Sequence, residues 1–286
     1  MELIRQIWPL SSGLQLSYLT CGTGEPVMLL HGLADHGLVW QSLAAMLSSA
    51  SMDRPPQRHY CIAPDLRGHG ESSKPPESEY DARMLAADLE SLAQGLGLAQ
   101  VQVVAHSWAA KIALVWARQE PERIHRLVLV DPFFVNQLPG IFRVSLPFLY
   151  RTLPFLKVMG PFASYEAAVT VAQSLKQYRG WSPLQAAVFK AGIEPKADGS
   201  WGSKFAIAAR NGVFQDVLQL SGLTAAIAIP TWLLLPKQGL NRTTWQLRPY
   251  QRYLPHLTTV AIPGNHWPHL VEPQAFNQTV AAILHT

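Results

Sequence analysis

A serine at the end of an apolar, β-branched segment is the residue of this chain best suited to covalent chemistry. Residues 101–109 read Val-Gln-Val-Val-Ala-His-Ser-Trp-Ala, and helix-forming sequence follows directly. A serine hydroxyl is a poor nucleophile unless a base takes its proton, and a tight strand-to-helix turn is one way to hold its oxygen away from the chain. Such turns need small neighbours, and Ala105 and Ala109 stand where glycines are usual. Ser107 is therefore a candidate nucleophile, although a turn without chemical function could have the same sequence.

Other apolar segments also end in polar residues. These residues are His31, Asp65 and Asp131, together with His266 in the loop after a later apolar segment. Ligands of parallel α/β sheets bind beyond the carboxyl ends of the strands. If the segments are parallel strands, all these side chains lie at one edge of the sheet with Ser107, and they are candidates for one site.

Strand-like and helix-like segments alternate along the chain. We predict strands at 27–30, 60–64, 101–105, 126–130, 231–235 and 258–262, and helices at 82–96, 109–119, near 243–253 and from 273. This alternation predicts an α/β fold with a parallel sheet and helices on both faces. Residues 133–229 contain no clear strand and are interpreted as a helical cap. The core would then comprise residues 1–132 and 230–286.

Five stretches, in order, resemble the α/β-hydrolase superfamily. They are Leu-Leu-His-Gly-Leu at 29–33, Asp-Leu-Arg-Gly-His-Gly-Glu-Ser at 65–72, Ala-His-Ser-Trp-Ala at 105–109, Leu-Val-Leu-Val-Asp-Pro at 127–132 and Ile-Pro-Gly-Asn-His-Trp at 262–267. The resemblance covers nearly the whole chain. It implies a mostly parallel eight-stranded sheet, with the cap inserted after the strand that ends at Asp131. It also implies Ser107 as nucleophile, His266 as general base, and the amides of Leu33 and Trp108 as the oxyanion hole.

The acid that normally completes this site in the family is missing from its usual place. No Asp or Glu occurs anywhere in residues 217–271. Some family members, such as haloalkane dehalogenases, carry the acid at the position that Asp131 occupies here. We therefore favour Asp131 as the partner of the imidazole, with Asn241 as a weaker, uncharged alternative. The alternative is that Asp131 has no catalytic role, since an acidic residue is common at this position.

The composition of the chain limits the classes of partner and the cellular compartment that we expect. The 286 residues carry a net charge of +4 with Lys and Arg scattered along the chain, so nucleic acid is not expected as a partner. With only two cysteines, no basic leader with an apolar run and no long uncharged apolar stretch, we expect a cytoplasmic protein. We expect no cofactor and no metal, because no metal-ligand spacing or phosphate-binding loop is present. The oligomeric state is left open.

The first part of the predicted cap is strongly apolar. It contains Phe142, Leu146, Phe148, Leu149, Phe155 and Leu156. We expect these residues to pack on the core and line a substrate pocket. Contact of this stretch with a membrane surface is a less favoured interpretation.

Two functional hypotheses remain. The favoured one is a serine hydrolase that cleaves a carboxylic ester or related acyl bond of a small, largely apolar molecule; a C–C bond hydrolase is a variant of it. Dehalogenases and epoxide hydrolases of this fold use an aspartate nucleophile, which position 107 lacks. The alternative is a non-catalytic member that binds an apolar ligand or a partner through its cap.

Overall fold

Eight strands form one mixed sheet in the computed structural model, which describes residues 3–49, 58–133, 135–138 and 153–286. The strands are β1 (Ile4–Pro9), β2 (Gln15–Cys21), β3 (Glu25–Leu30), β4 (His59–Pro64), β5 (Val101–His106), β6 (Ile124–Val130), β9 (Thr231–Gln238) and β10 (Leu257–Asn265). Their order across the sheet is β1-β2-β4-β3-β5-β6-β9-β10. β1 pairs antiparallel with β2, and β2 antiparallel with β4, whereas all other neighbours are parallel. The predicted mostly parallel, eight-stranded sheet is confirmed.

The central strands are buried on both faces, which explains their largely apolar sequences. Every residue of β5 is buried. Val103 and Ala105 contribute to the apolar core on one face of the sheet, and Val104 contributes to the core on the other. Such a strand needs helices above and below it.

Helices cover both faces of the sheet. They are α1 (Gln41–Ser48), α2 (Ala82–Gly95), α3 (Ala109–Gln119), α4 (Tyr165–Gln173), α5 (Pro183–Gly192), α6 (Ile207–Gln219), α7 (Thr244–Tyr253), α8 (Pro268–Val271) and α9 (Pro273–Leu284). Helices α2 and α3 pack on one core, and α1 and α9 on the other. The start of α2 shows why a helix begins there, since the Asp81 carboxylate accepts the backbone N–H groups of Arg83 and Met84. None of the helices within the described ranges has the length and apolarity needed to cross a membrane.

The segment between β6 and β9 is not purely helical. Alongside α4, α5 and α6 it contains a hairpin of two short strands, β7 (Ile193–Pro195) and β8 (Trp201–Ser203), which the sequence analysis did not predict. The hairpin turns at Gly199, whose φ of +82° favours glycine, and the Asp198 carboxylate accepts the N–H of Ser200. Of the six apolar residues named in the predicted cap, Phe155 and Leu156 are described; Phe142, Leu146, Phe148 and Leu149 lie outside the described residues.

A buried ion pair ties this segment to the core. Lys111 Nζ on α3 lies 2.6 Å from Asp216 Oδ2 on α6, and both side chains are fully buried. Because neither charge reaches water, each needs the other. The pair holds α6 against the helix that follows Ser107.

Candidate active site

Ser107 occupies a sharp turn between β5 and α3. Its φ is +56°, a conformation that non-glycine residues adopt rarely and at a cost. Backbone hydrogen bonds hold it there: the Ser107 N–H donates to the Val130 carbonyl at 2.9 Å, and the Ser107 carbonyl accepts the Phe133 N–H at 3.2 Å. Ala105 and Ala109 are completely buried, so alanine is small enough for the positions where glycine was expected.

His266 lies at the centre of a hydrogen-bonded chain of three side chains. Its Nε2 is 2.8 Å from Ser107 Oγ, and its Nδ1 is 2.7 Å from Asp131 Oδ2. An ionised carboxylate only accepts, so Nδ1 carries the proton and donates it to Asp131. Nε2 then presents a lone pair to the serine hydroxyl, which is the arrangement that a general base needs. The structure thus brings together the three side chains that the sequence analysis proposed as one site.

Asp131 follows the end of β6 and is fully buried. Its carboxylate accepts the N–H of Leu240 at 2.8 Å as well as the bond from His266. Burial by itself raises the pKa of this carboxyl group, but hydrogen bonds from His266, Asn241 and Leu240 outweigh burial and leave the pKa below its ordinary value. Asp131 is therefore held as a carboxylate.

The loop after β9 contributes backbone and amide groups to this carboxylate. A Cβ atom at Gly239 would lie 2.7 Å from Asp131 Oδ2, so only glycine allows the approach. The side-chain amide of Asn241 donates to Asp131 Oδ1 at 2.9 Å and to the Pro132 carbonyl at 2.8 Å. The sequence suggests Asn241 as an alternative partner of the imidazole; in the structure its amide binds the carboxylate instead.

Two backbone amides proposed for an oxyanion hole lie beside the serine. Leu33 and Trp108 line the same cavity as Ser107. The loop of Leu33 comes close because Gly32 has no side chain: a Cβ there would lie 2.7 Å from His106 Nδ1 and 3.3 Å from Ser107 Cβ. Neither the Leu33 nor the Trp108 amide N–H donates to another group of the described ranges. Both donors are therefore available to a ligand oxygen.

The cavity in front of Ser107 is small and mostly apolar. Its volume is about 220 Å³, below the roughly 300–1,000 Å³ range of pockets for drug-sized ligands. The apolar lining comes from Leu33, Trp108, Phe133, Leu153, Pro154, Phe155, Leu240 and Trp267, and the polar lining outside the Ser107–His266 pair from His106, Lys176, Gln177, Gln238 and Asn265. Such a cavity suits a small apolar group next to the serine.

A second buried cluster, which the sequence analysis missed, lies behind His266. Ligand atoms of Asp35, His106 and His269 lie within 4.8 Å of one another, and this is the group of described residues that could hold a metal ion. His106 Nε2 donates to the His266 carbonyl at 2.6 Å, so His106 Nδ1 carries the lone pair and faces Asp35 Oδ2 at 3.9 Å. The signal in the sequence was the histidine next to Ser107 and a second one three residues after His266.

The protonation of the cluster fits a neutral network better than a cation site. Burial raises the pKa of the Asp35 carboxyl to about 8, and burial keeps the pKa of His106 well below its ordinary value. Near neutral pH the Asp35 carboxyl group is therefore protonated and uncharged. A divalent ion here would oppose a positive charge on His266, whose ring centroid is 4.8 Å from that of His106.

Comparison with known proteins identifies the family. Residues 25–223 match the family described as alpha/beta hydrolase fold, so the chain belongs to the α/β-hydrolase family. It is 31% identical over 134 residues to a soluble epoxide hydrolase of Corynebacterium sp. (strain C12), which covers 47% of this chain and 42% of that enzyme. It is 28% identical over 210 residues to epoxide hydrolase 1 of Siraitia grosvenorii, covering 70% of this chain and 64% of that enzyme.

Among solved structures, an E-2-(acetamidomethylene)succinate hydrolase superimposes over the full length of both chains. The TM-score is 0.78 and the sequence identity 20%, so the likeness concerns the fold. The chain spans less than two thirds of the two curated enzymes named above.

Proposed function

We propose that this protein is a serine hydrolase that cleaves a carboxylic ester or related acyl bond of a small, largely apolar substrate through an acyl-enzyme. One observation carries the proposal: Ser107, His266 and Asp131 form a continuous hydrogen-bonded chain with 2.8 and 2.7 Å contacts. The chain ends in a buried carboxylate whose pKa is low. That combination activates a serine hydroxyl.

In the proposed reaction, Ser107 Oγ bonds to the carbonyl carbon as His266 Nε2 takes the hydroxyl proton. The carbonyl oxygen becomes negative and accepts hydrogen bonds from the Leu33 and Trp108 amides. The tetrahedral intermediate collapses, and the leaving alcohol takes the proton from His266. Water then attacks the acyl-enzyme with His266 as base, which releases the acid and restores Ser107. Asp131 stabilises the transient imidazolium in both halves of the reaction.

The curated relatives named epoxide hydrolases suggest a different reaction, which the serine disfavours. A carboxylate that opens an epoxide forms an ester, and water can cleave that ester. A serine oxygen that opens an epoxide would form an ether, which water does not release under these conditions. Ser107 at the nucleophile position thus supports acyl transfer rather than epoxide opening.

A fluorophosphonate probe tests the proposal, because it labels only an activated serine. We expect stoichiometric labelling of the wild-type protein, detected as a mass increase of one probe per chain. Ser107→Ala should abolish labelling and lower ester turnover by up to about 10⁶-fold, the scale seen for a triad nucleophile. Ser221→Ala is the matched control and should label normally. Unchanged labelling of Ser107→Ala would refute the assignment, and a folded wild-type protein that never labels would favour the non-catalytic hypothesis.

A further inference from the structure

Charge is distributed unevenly along this chain. Residues 133–271 contain thirteen Lys and Arg but four Asp and Glu, a net charge of +9. The remaining residues contain ten basic and fifteen acidic residues, a net charge of −5. The overall value of +4 conceals this separation. Most of the residues that line the cavity with Ser107, from Phe133 to Trp267, belong to this basic part. An anionic partner is therefore attracted to the part of the chain that forms most of the cavity.

One surface combines this charge with exposed apolar side chains. We call it the mouth patch and define it as Lys237, Leu240, Arg242, Trp245 and Arg248. All five residues are exposed. The indole of Trp245 is the most exposed large hydrophobic side chain of the described residues, at 75%, and Leu240 is 39% exposed. An indole so exposed, among three cations, differs from the isolated apolar residues common on protein surfaces.

The mouth patch adjoins the cavity that holds Ser107. Leu240 and its neighbour Gln238 line this cavity. Trp245 follows in the first turn of α7, and Arg248 is three residues later on the same helix, so the two side chains share a face. Lys176 adds another exposed cation to the lining of the same cavity.

The cations of the mouth patch have no acidic partner of their own. None of Lys237, Arg242 and Arg248 forms an ion pair within the described part of the chain. Residues 217–271 contain no acidic residue that could serve. Their charge is therefore directed at solvent or at a partner.

Tryptophan beside lysine and arginine is the composition that proteins use at the boundary between water and lipid. The indole enters the headgroup region, and basic side chains near the surface are attracted to anionic lipids. We propose that the mouth patch binds the surface of an anionic lipid bilayer. Docking in this way places the apolar cavity next to the phase in which apolar molecules concentrate. The binding itself does not depend on the hydrolysis proposed above.

Vesicle co-sedimentation tests the proposal. The full chain is mixed with vesicles of phosphatidylcholine alone, or with 40% phosphatidylglycerol, at low and at high salt. We expect binding to the anionic vesicles, at least about tenfold weaker binding to the neutral ones, and loss of binding as salt rises. Trp245→Ala and the double variant Lys237→Gln/Arg248→Gln should each weaken binding on the order of tenfold.

Two control variants remove an exposed apolar side chain and two exposed cations elsewhere on the molecule. Ile207→Ala removes an apolar side chain that is 61% exposed on α6. Arg58→Gln/Arg83→Gln removes two exposed charges that lie outside the mouth patch. Both should bind like the wild-type protein. Ser107→Ala should also bind normally, which separates this proposal from the catalytic one. A wild-type protein that ignores anionic vesicles, as expected if the patch instead meets an acidic protein, overturns the proposal; so do controls that lose as much binding as the patch variants.

Discussion

Asp35 predicts an unusual dependence of stability on pH. Its carboxyl group is buried next to His106, and burial raises its pKa to about 8 from an ordinary 3.8. In the unfolded chain the group ionises at its ordinary pKa. Between these two values the folded protein holds a proton that the unfolded chain has released. Rising pH therefore favours the unfolded state throughout this interval.

The size of the effect follows from the pKa difference. Each pH unit between about 4 and 8 lowers the free energy of unfolding by up to about 1.4 kcal/mol, because one proton separates the two states. Over the whole interval the loss reaches at most about 6 kcal/mol, comparable to the total stability of many domains. Asp35→Asn removes this loss, since an amide of nearly the same shape stays neutral at every pH.

Urea unfolding of the wild type and Asp35→Asn, measured at several pH values from 5 to 9, is the appropriate assay. We expect the variant to gain on the wild-type protein by up to about 1.4 kcal/mol for each pH unit up to 8, and no further above that pH. Asp198→Asn, which changes an exposed acid in the β7–β8 hairpin, is the control and should show no such rise. A difference between wild type and Asp35→Asn that is the same at pH 5 and pH 8 would show that Asp35 is not protonated in the folded protein.

Three further predictions concern the site and its support. Asp131→Asn should keep the fold and lower ester turnover by up to about 10⁴-fold in steady-state assays. Asn241→Ala removes only one bond to that carboxylate and should lower turnover much less. The reverse order of the two effects would contradict the geometry. For p-nitrophenyl esters from acetate to laurate, kcat/KM should rise by up to about fourfold per methylene until the cavity is full. Phe155→Ala should move the maximum of this profile to longer chains. A profile that the substitution leaves unchanged would show that Phe155 does not determine chain-length specificity. Asp216→Ala should lower the free energy of unfolding, measured in urea, by about 3–5 kcal/mol because Lys111 remains buried without a partner. The double variant Lys111→Met/Asp216→Leu should recover most of this stability. Equal losses in the two variants would mean that packing, not charge, determines stability at this position.

The central sheet could be predicted from sequence because its strands are buried on both faces. Apolar runs such as Val-Val-Ala in β5 and Leu-Val-Leu-Val in β6 are visible without a structure, and the predicted helix 109–119 coincides with α3. The strands β1 and β2, which form an antiparallel pair, were not among the segments predicted as strands. β1 lies at the edge of the sheet and is largely exposed, so it has no apolar pattern. The hairpin β7–β8 has strands of three residues, too short for any periodicity.

The parts of the site that consist of side chains could be predicted from residue types, whereas the parts that consist of backbone groups could not. Ser107, His266 and Asp131 were named from the ends of strands and lie within hydrogen-bond distance of one another; their roles stay a prediction. The Leu240 amide was not named, since a backbone donor leaves no trace in residue type. The contact of Asp35 with His106 was also missed, because 71 residues separate the two and only the folding of β3 beside β5 brings them together.

The position of the acid has a consequence for how this chain can change. Asp131 follows β6, the strand that pairs with the nucleophile strand, whereas the loop after β9 supplies the carboxylate with an amide N–H, the close approach of Gly239 and the side chain of Asn241. The side chains at positions 237, 238 and 240 therefore take no part in the proposed reaction. Gln238 and Leu240 nevertheless line the cavity, and Lys237 belongs to the mouth patch beside it. A saturation library at these three positions should consist mainly of folded, reactive proteins. New substrate preferences would be easiest to select there, because side-chain variation in that loop leaves Ser107, Asp131 and His266 unchanged.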